Sequence, residues 1–353
     1  MLVSKKFSLI GLAIFFNALW AMAIIDNAHG RSKTESDSRP PAKHFAEIKL
    51  PRGYRPSPAH VLQLIGTHIN VDLYAATFAQ GMAVYAELYW NQAMPEKKMA
   101  VERLDFDGRD ILLSKREWGY RALFGIHAET APGMRSLRVA YSIDGHQVTD
   151  TFTVRVSRSE YRFPRGALDL GKYSDVDYRP TPEELAFINR CAAKKNMVFK
   201  RIGPDLLGES FSHPRDRHHI TSSFWAKRLI MQYRKKNGKK IRLKNKLNVH
   251  RGVDLRGKTG EPVFSIGGGT VVIAEPMYYE GNFIVIDHGN RIFTYYMHLH
   301  SFSVKEGDIV KAGQTVGTVG STGLSTAAHL HVSLVLQDIN VDPLSIIMLP
   351  VRR

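Results

Sequence analysis

Five residues in three separate segments have side chains that could bind a metal or transfer a proton. The stretch HRGVD supplies His250 and Asp254, YYMHLH adds His298, and HLH supplies His329 and His331. A spacing of four places His250 and Asp254 on one face of a strand or helix. A spacing of two places the last two histidines on one face of a strand. Zinc catalysis needs three nitrogen or oxygen ligands and one open position, so two of the five remain for proton transfer or charge stabilisation.

Each of these signals is weak by itself. A lone core or surface histidine is commoner than a ligand, and an H-x-x-x-D pair alone is also weak. Their joint presence in one exported β-domain is a much stronger indication of a metal site. The single cysteine, Cys191, excludes an intrachain disulfide and a cysteine-based zinc site. Cys191 lies in a helical pattern and is predicted to be a small buried residue.

The pattern around these residues predicts a mainly all-β chain with two domains and a connector. Short strands punctuated by glycines fill residues 205–349, which are predicted to form a second β-sheet domain. Alternating strands at 47–160 predict a β-sandwich-like domain, with hairpin turns at Asp107-Gly108 and Asp144-Gly145. Residues 161–204 form a connector with a helix, because Thr181, Pro182 and Glu184 compose a capping box with proline at the first position.

The beginning of the chain indicates export. Lys5 and Lys6 precede an apolar run from Phe7 to Ile25, so residues 1–25 are either a cleaved signal peptide or a retained N-terminal membrane anchor. Residues 26–46 read as a polar linker. Both interpretations place the rest of the chain outside the cytoplasm, in the periplasm or cell envelope, and the anchor would hold it at the inner membrane.

The charge of the chain favours an acidic partner. Its 353 residues carry a net charge of +16, which suits nucleic acid, anionic lipid or an acidic wall polymer. Half of segment 227–246 is lysine or arginine, and it holds no acid. This segment is either a solvated loop or an anion-facing strip beside the site.

Residues from about 205 to 348 resemble the lysostaphin-like (LytM-type) zinc metallopeptidases, which cut peptide cross-links in bacterial peptidoglycan. The matching runs are SSFWAKR, HRGVDLRGKTGEPVFSIGGGTVV, GNFIVIDHGN, YYMHLHSFSVKEGDIVKAGQTVGTVGSTGLSTAAHLH and VDPL. The resemblance implies one zinc ion held by His250, Asp254 and His331, with His298 and His329 as the catalytic pair. Which of the two takes the proton stays open. The run REWGYRALFGIHAETAPG is similar, more loosely, to the N-terminal domain of an exported Gram-negative branch.

The chain departs from the family pattern beside the H-x-H motif. Ala327-Ala328 stands where the family usually has Gly-Pro, and Val332-Ser333 stands where it has Phe-Glu. Loss of that glutamate would weaken the support of a ligand. The resemblance implies a peptidoglycan endopeptidase that binds no nucleic acid.

Two other functions fit parts of the sequence. The first is a non-catalytic wall-binding activator of amidases, which the intact ligand set disfavours. The second is a biotinyl or lipoyl carrier, which VKEGDIVKAGQTVG resembles, but the turn offers no lysine.

Overall fold

The computed structural model describes residues 50–92, 96–163, 166–208 and 210–350. The predicted signal peptide or anchor at 1–25 and nearly all of the linker and domain start before residue 50 lie outside the described residues. Within the described ranges, no helix is both long and apolar enough to cross a membrane. The described residues are mostly β-strand and belong to one compact unit, which confirms the mainly all-β prediction.

The first nine strands form two sheets that enclose an apolar core. The sheets have the orders β1-β2-β3-β7-β6 and β5-β4-β8-β9. Alternating side chains from both sheets, including Leu73, Leu104 and Val139, are fully buried in one cluster, as in a β-sandwich. Both predicted turns join hairpins and have positive φ at their Asp and Gly residues. The strands are β1 His60–Ile65, β2 Ile69–Ala75, β3 Ala83–Trp90, β4 Met99–Phe106, β5 Arg109–Ile111, β6 Ser114–Arg116, β7 Gly119–Gly125, β8 Gly133–Ile143 and β9 His146–Val156.

The connector contains a short strand, a 3₁₀ turn and the predicted helix. These are β10 Ala167–Leu168, the 3₁₀ turn Gly171–Ser174 and α1 Pro182–Val198. The capping box is confirmed, since Thr181 accepts from the Glu184 amide while the Glu184 carboxylate accepts from the Thr181 amide. Cys191 lies within this helix and is buried, as predicted.

The remaining strands build the sheet that carries the candidate site. Its order is β11-β16-β24-β20-β19-β18-β22, and β25 pairs with β24. Two smaller sheets, β10-β12-β15 and β17-β23-β21, flank it. The strands are β11 Ile220–Ser222, β12 Lys227–Ile230, β13 Tyr233–Lys236, β14 Lys239–Arg242, β15 Lys246–Val249, β16 Val253–Arg256, β17 Pro262–Phe264, β18 Gly269–Met277, β19 Gly281–Asp287, β20 Ile292–Leu299, β21 Ser301–Phe302, β22 Ile309–Val310, β23 Thr315–Thr318, β24 His329–Leu336 and β25 Ile339–Val341.

The basic segment 227–246 forms four strands, so its interpretation as a loop was wrong. β13 and β14 make a hairpin whose exposed lysines are here called the hairpin lysines: Lys235, Lys236, Lys239 and Lys240. Two of them pair with connector acids, Lys240 with Asp169 at 3.1 Å and Lys235 with Asp175 at 3.8 Å. Lys236 and Lys239 lie opposite each other at the tip of the hairpin, where no acid among the described residues pairs with them.

The sandwich packs directly on the second half of the chain. Tyr85 and Leu123 from the sandwich share a buried apolar cluster with Val341 and other residues of the large sheet. Arg121 donates to both carboxylate oxygens of Asp205, at 2.7 and 2.8 Å, and both side chains are almost fully buried. An apolar contact reinforced by a buried bidentate ion pair holds the two parts in one arrangement.

Candidate metal centre and its cleft

Three side chains converge on one point. His250 Nε2 lies 2.9 Å from His331 Nδ1 and 3.0 Å from Asp254 Oδ1, and the last two atoms are 2.9 Å apart. All three residues are at least nine-tenths buried. Two imidazole nitrogens and one carboxylate oxygen are the donor set of a zinc site that keeps a fourth position open.

Strand pairing accounts for this convergence. In the β16–β24 register Asp254 lies opposite His331 and Arg256 lies opposite His329, so these four residues occupy neighbouring positions on two paired strands. His250 precedes β16 and is held by its backbone, which donates to Ala226 and accepts from Trp225. The sheet therefore supplies two of the three donors, and a short loop supplies the third.

Hydrogen bonds behind the imidazoles set which nitrogen faces the cluster. His250 Nδ1 lies 3.0 Å from the Ser223 carbonyl oxygen, which can only accept, so the proton sits on Nδ1 and the lone pair on Nε2 faces Asp254. His331 Nε2 lies 3.0 Å from the buried Ser333 hydroxyl, which leaves Nδ1 for the cluster. Ser333 thus orients His331, and it does so from the position where the family usually has a glutamate.

The ionisation states suit a cation. Burial lowers the pKa of His331 to about 4, so its imidazole is neutral at pH 7. Burial alone would raise the pKa of Asp254, but its close contacts with His250 and His331 outweigh burial and hold that pKa well below its usual range. A neutral imidazole at His331 and an ionised carboxylate at Asp254 match what a divalent metal requires of its ligands.

The other two histidines stand beside this cluster. The rings of His298 and His329 have centroids 5.0 Å apart, and His329 Nε2 lies 3.6 Å from Asp254 Oδ1. Each Nδ1 donates to a backbone carbonyl, His298 to Thr322 at 2.8 Å and His329 to Ala327 at 2.7 Å. Because both protons are fixed on Nδ1, both Nε2 atoms are free to accept a proton or, once protonated, to donate a hydrogen bond.

His298 is held in an unusual backbone conformation at the end of β20. Its φ is +63°, a left-handed value that is uncommon for any residue except glycine. Its amide donates to the Glu280 carbonyl at 2.9 Å. Burial lowers the pKa of His298 to about 4. A Cβ at Gly320 would lie 2.7 Å from the His298 carbonyl oxygen, so only glycine allows this close approach.

Arg228 is a further residue of the centre that sequence reasoning did not select. Its guanidinium donates to Asp254 Oδ2 at 2.6 Å and to the Ser222 hydroxyl at 2.9 Å. Asp254 therefore presents one oxygen to the histidines and the other to Arg228. The signal was present in the basic run, but a run of ten cations does not reveal which one turns inward.

The site opens into a cleft of about 740 Å³. Its lining includes the candidate ligands Asp254 and His331, together with His298 and the segment 324–329. Connector residues, among them Arg162, Phe163 and Ala167, and residues of the segment 221–228 line it as well. The structure thus brings all five sequence-predicted site residues together, and it adds a wall from the connector that the sequence did not indicate.

Comparison with known proteins agrees with this geometry. Residues 248–343 match the model of Peptidase family M23. Peptidoglycan DD-endopeptidase ShyC of Vibrio cholerae is 33% identical over 130 residues, which cover 37% of this chain and 28% of ShyC. Lysostaphin of Staphylococcus staphylolyticus is 47% identical over 85 residues, which cover 24% of this chain and 18% of lysostaphin.

A solved structure shares the fold over most of the chain. A candidate M23 peptidase from Pseudomonas aeruginosa is 21% identical, covers 78% of this chain and 96% of its own, and has a TM-score of 0.50. The chain spans less than a third of the length of the two curated relatives. The matched residues 248–343 include the three candidate metal ligands and the two candidate catalytic histidines.

Proposed function

We propose that the protein is a zinc-dependent endopeptidase that hydrolyses peptide cross-links of bacterial peptidoglycan. The observation that carries the proposal is the convergence of His250, Asp254 and His331 within 3.0 Å of one another, beside two histidines with unprotonated Nε2 atoms. The names of the curated relatives supply the substrate class.

The three converging residues would hold the zinc ion. When bound there, zinc would act as a Lewis acid and lower the pKa of a water molecule toward ~7. His298 and His329 line the cleft with their Nε2 atoms available, so one would accept the proton of the attacking water and the other would donate to the developing oxyanion. Their fixed Nδ1 protons keep both rings in the tautomer that these roles need.

A cell-envelope location belongs to the same proposal. The basic, apolar start of the chain would export it to the periplasm, as a cleaved signal or as an anchor in the inner membrane. The exposed hairpin lysines suit an acidic wall polymer at that location. Activation of amidases without catalysis is the alternative, and the complete donor set disfavours it.

Digestion of purified peptidoglycan by the zinc-loaded protein tests the proposal. Mass analysis of the products should show cross-linked dimers converted to monomers, and elemental analysis should show one zinc per chain. His331→Ala should lose most of the zinc and all detectable cleavage. A protein that binds zinc but leaves cross-links intact would favour the non-catalytic alternative, and full zinc in the variant would refute the ligand assignment.

A further inference from the structure

The cleft carries an excess of positive charge that the zinc site does not use. The described residues lining it include four cations, Arg162, Lys227, Arg228 and Arg256, and a single acid, Asp254. Asp254 is already engaged by Arg228 at 2.6 Å and by the histidines. The remaining cations therefore face the cleft without an acidic side chain among its lining residues to neutralise them.

Arg256 is the best placed of these cations. It lies two residues after Asp254 on β16, hence on the same strand face, and directly opposite His329 in the register with β24. Its side chain is exposed and lines the cleft. Within the described residues its guanidinium has no hydrogen-bond or ion-pair partner. A substrate group next to the reacting bond would thus meet a free guanidinium beside a candidate catalytic histidine.

The connector residues that line the cleft contribute a second free cation. Arg162 is exposed, lines the cleft and also lacks a partner among the described residues. Its carbonyl accepts from the Lys227 amide at 2.9 Å, and Lys227 Nζ lies 4.5 Å from the centre of the Phe163 ring. This wall lies outside residues 248–343, so the M23 domain alone does not determine it.

We infer that the cleft selects peptides that bear a free carboxylate next to the scissile bond, with Arg256 as the main specificity residue and Arg162 as the second. This inference rests on the proposed function. A guanidinium forks onto a carboxylate with two parallel hydrogen bonds, which a carboxamide cannot match in charge.

Two synthetic cross-linked peptides test this selection. They are identical except that the residue beside the scissile bond carries a carboxylate in one and a carboxamide in the other. The unaltered protein should cleave the acid with a kcat/KM at least roughly tenfold higher, the scale of one charge-assisted hydrogen bond. Arg256→Gln should reduce that ratio to near one by lowering the kcat/KM for the acid. Arg162→Gln should reduce it less, and Arg256→Lys should restore part of it.

The matched control is Arg155→Gln, which removes an exposed charge from β9 of the sandwich. This variant should keep the full ratio. An unchanged thermal unfolding midpoint and zinc content of Arg256→Gln show that this variant is folded. Equal cleavage of the two peptides by the unaltered protein, or a ratio that survives both arginine replacements, would overturn the inference.

Binding separates this inference from the proposed function. The binding of each labelled peptide to the full protein carrying His298→Ala is measured by fluorescence anisotropy. Acid-selective binding that disappears with Arg256→Gln supports the inference even when neither peptide is ever cleaved, a result that would refute only the endopeptidase proposal. Cleavage of both peptides with no preference in binding would refute the inference and leave the endopeptidase proposal standing. Absence of binding by either peptide would refute the inference.

Discussion

Ser333 offers the sharpest test of how the fold prepares the metal centre. Its hydroxyl is completely buried and lies 3.0 Å from His331 Nε2, on the side of the ring opposite the cluster. Ser333→Ala removes this acceptor with little change in shape. The Nε2 proton of His331 would then have no acceptor in a region that water does not reach, and the ring would lose the contact that keeps Nδ1 turned to the cluster.

The expected magnitude follows from that geometry. Removing a hydrogen-bond partner of a metal-ligating histidine typically lowers metal affinity about 10- to 100-fold, or roughly 1.4–2.7 kcal/mol. The metal-free protein should also be destabilised by about 1–3 kcal/mol, because a buried donor is left unpaired. The backbone packs closely here, since a Cβ on Gly252 would lie 2.3 Å from Ser333 Oγ and 2.7 Å from His331 Nε2.

Competition with a chromophoric chelator at pH 7.5 measures the zinc affinity of each variant. Ser265→Ala is the matched control, because Ser265 is equally buried and its hydroxyl donates to the Gly267 carbonyl at 2.6 Å, outside the metal cluster. The control should lose stability and keep its zinc affinity. If Ser333→Ala binds zinc as tightly as the unaltered protein, the hydroxyl only fills space and the orientation argument is wrong.

Three further outcomes are expected. His298→Ala and His329→Ala should each keep zinc, measured by elemental analysis, and lose turnover by about a hundredfold or more; loss of zinc would make the residue a ligand. Replacing Lys236 and Lys239 by glutamine should weaken salt-sensitive binding to intact sacculi in pelleting assays and leave cleavage of a soluble peptide unchanged; unaltered binding at low salt would exclude a role for the hairpin. Burial raises the pKa of Asp342 to about 6, above ~3.9 in the unfolded chain, so stability is lost as pH rises from ~3.9 to about 6 and the loss is complete above that. Asp342→Asn should therefore stabilise the protein by roughly 1–3 kcal/mol at pH 8 and leave it unchanged below pH 4, and equal denaturation midpoints at pH 8 would contradict this.

The sequence predicted features that local patterns determine. The hairpins at Asp107-Gly108 and Asp144-Gly145 and the helix cap at Thr181 depend on neighbouring residues, and the structure confirms them. The spacing of His329 and His331 likewise indicated a strand face, and β24 begins at His329. Gathering three distant segments around one point was predicted only through the family resemblance, because spacing gives no information about which strands become neighbours.

Features that depend on long-range packing were missed. Segment 227–246 was interpreted by its charge, yet Lys227, Leu229 and their neighbours pair with β15 in a sheet. Arg228 and Ser222 gain their roles only when β11 and β12 approach β16. Ser333 was judged by the glutamate it replaces, although a hydroxyl at that position can accept the same proton from the imidazole.

The connector wall shows why specificity is harder to predict than chemistry. Side chains that bind zinc must offer suitable donor atoms in a suitable geometry, so their residue types and spacing are restricted and can be recognised in a sequence. The guanidinium groups of Arg162 and Arg256 have no hydrogen-bond or ion-pair partner among the described residues, so in the sequence they look like any other solvent-exposed cation. The parallel pairing of β10 with β12 and the bond from the Lys227 amide to the Arg162 carbonyl bring the connector to the cleft that Arg256 and His329 also line. Two proteins with the same M23 ligands but different connectors should therefore differ in the peptides they select and agree in the bond chemistry they perform.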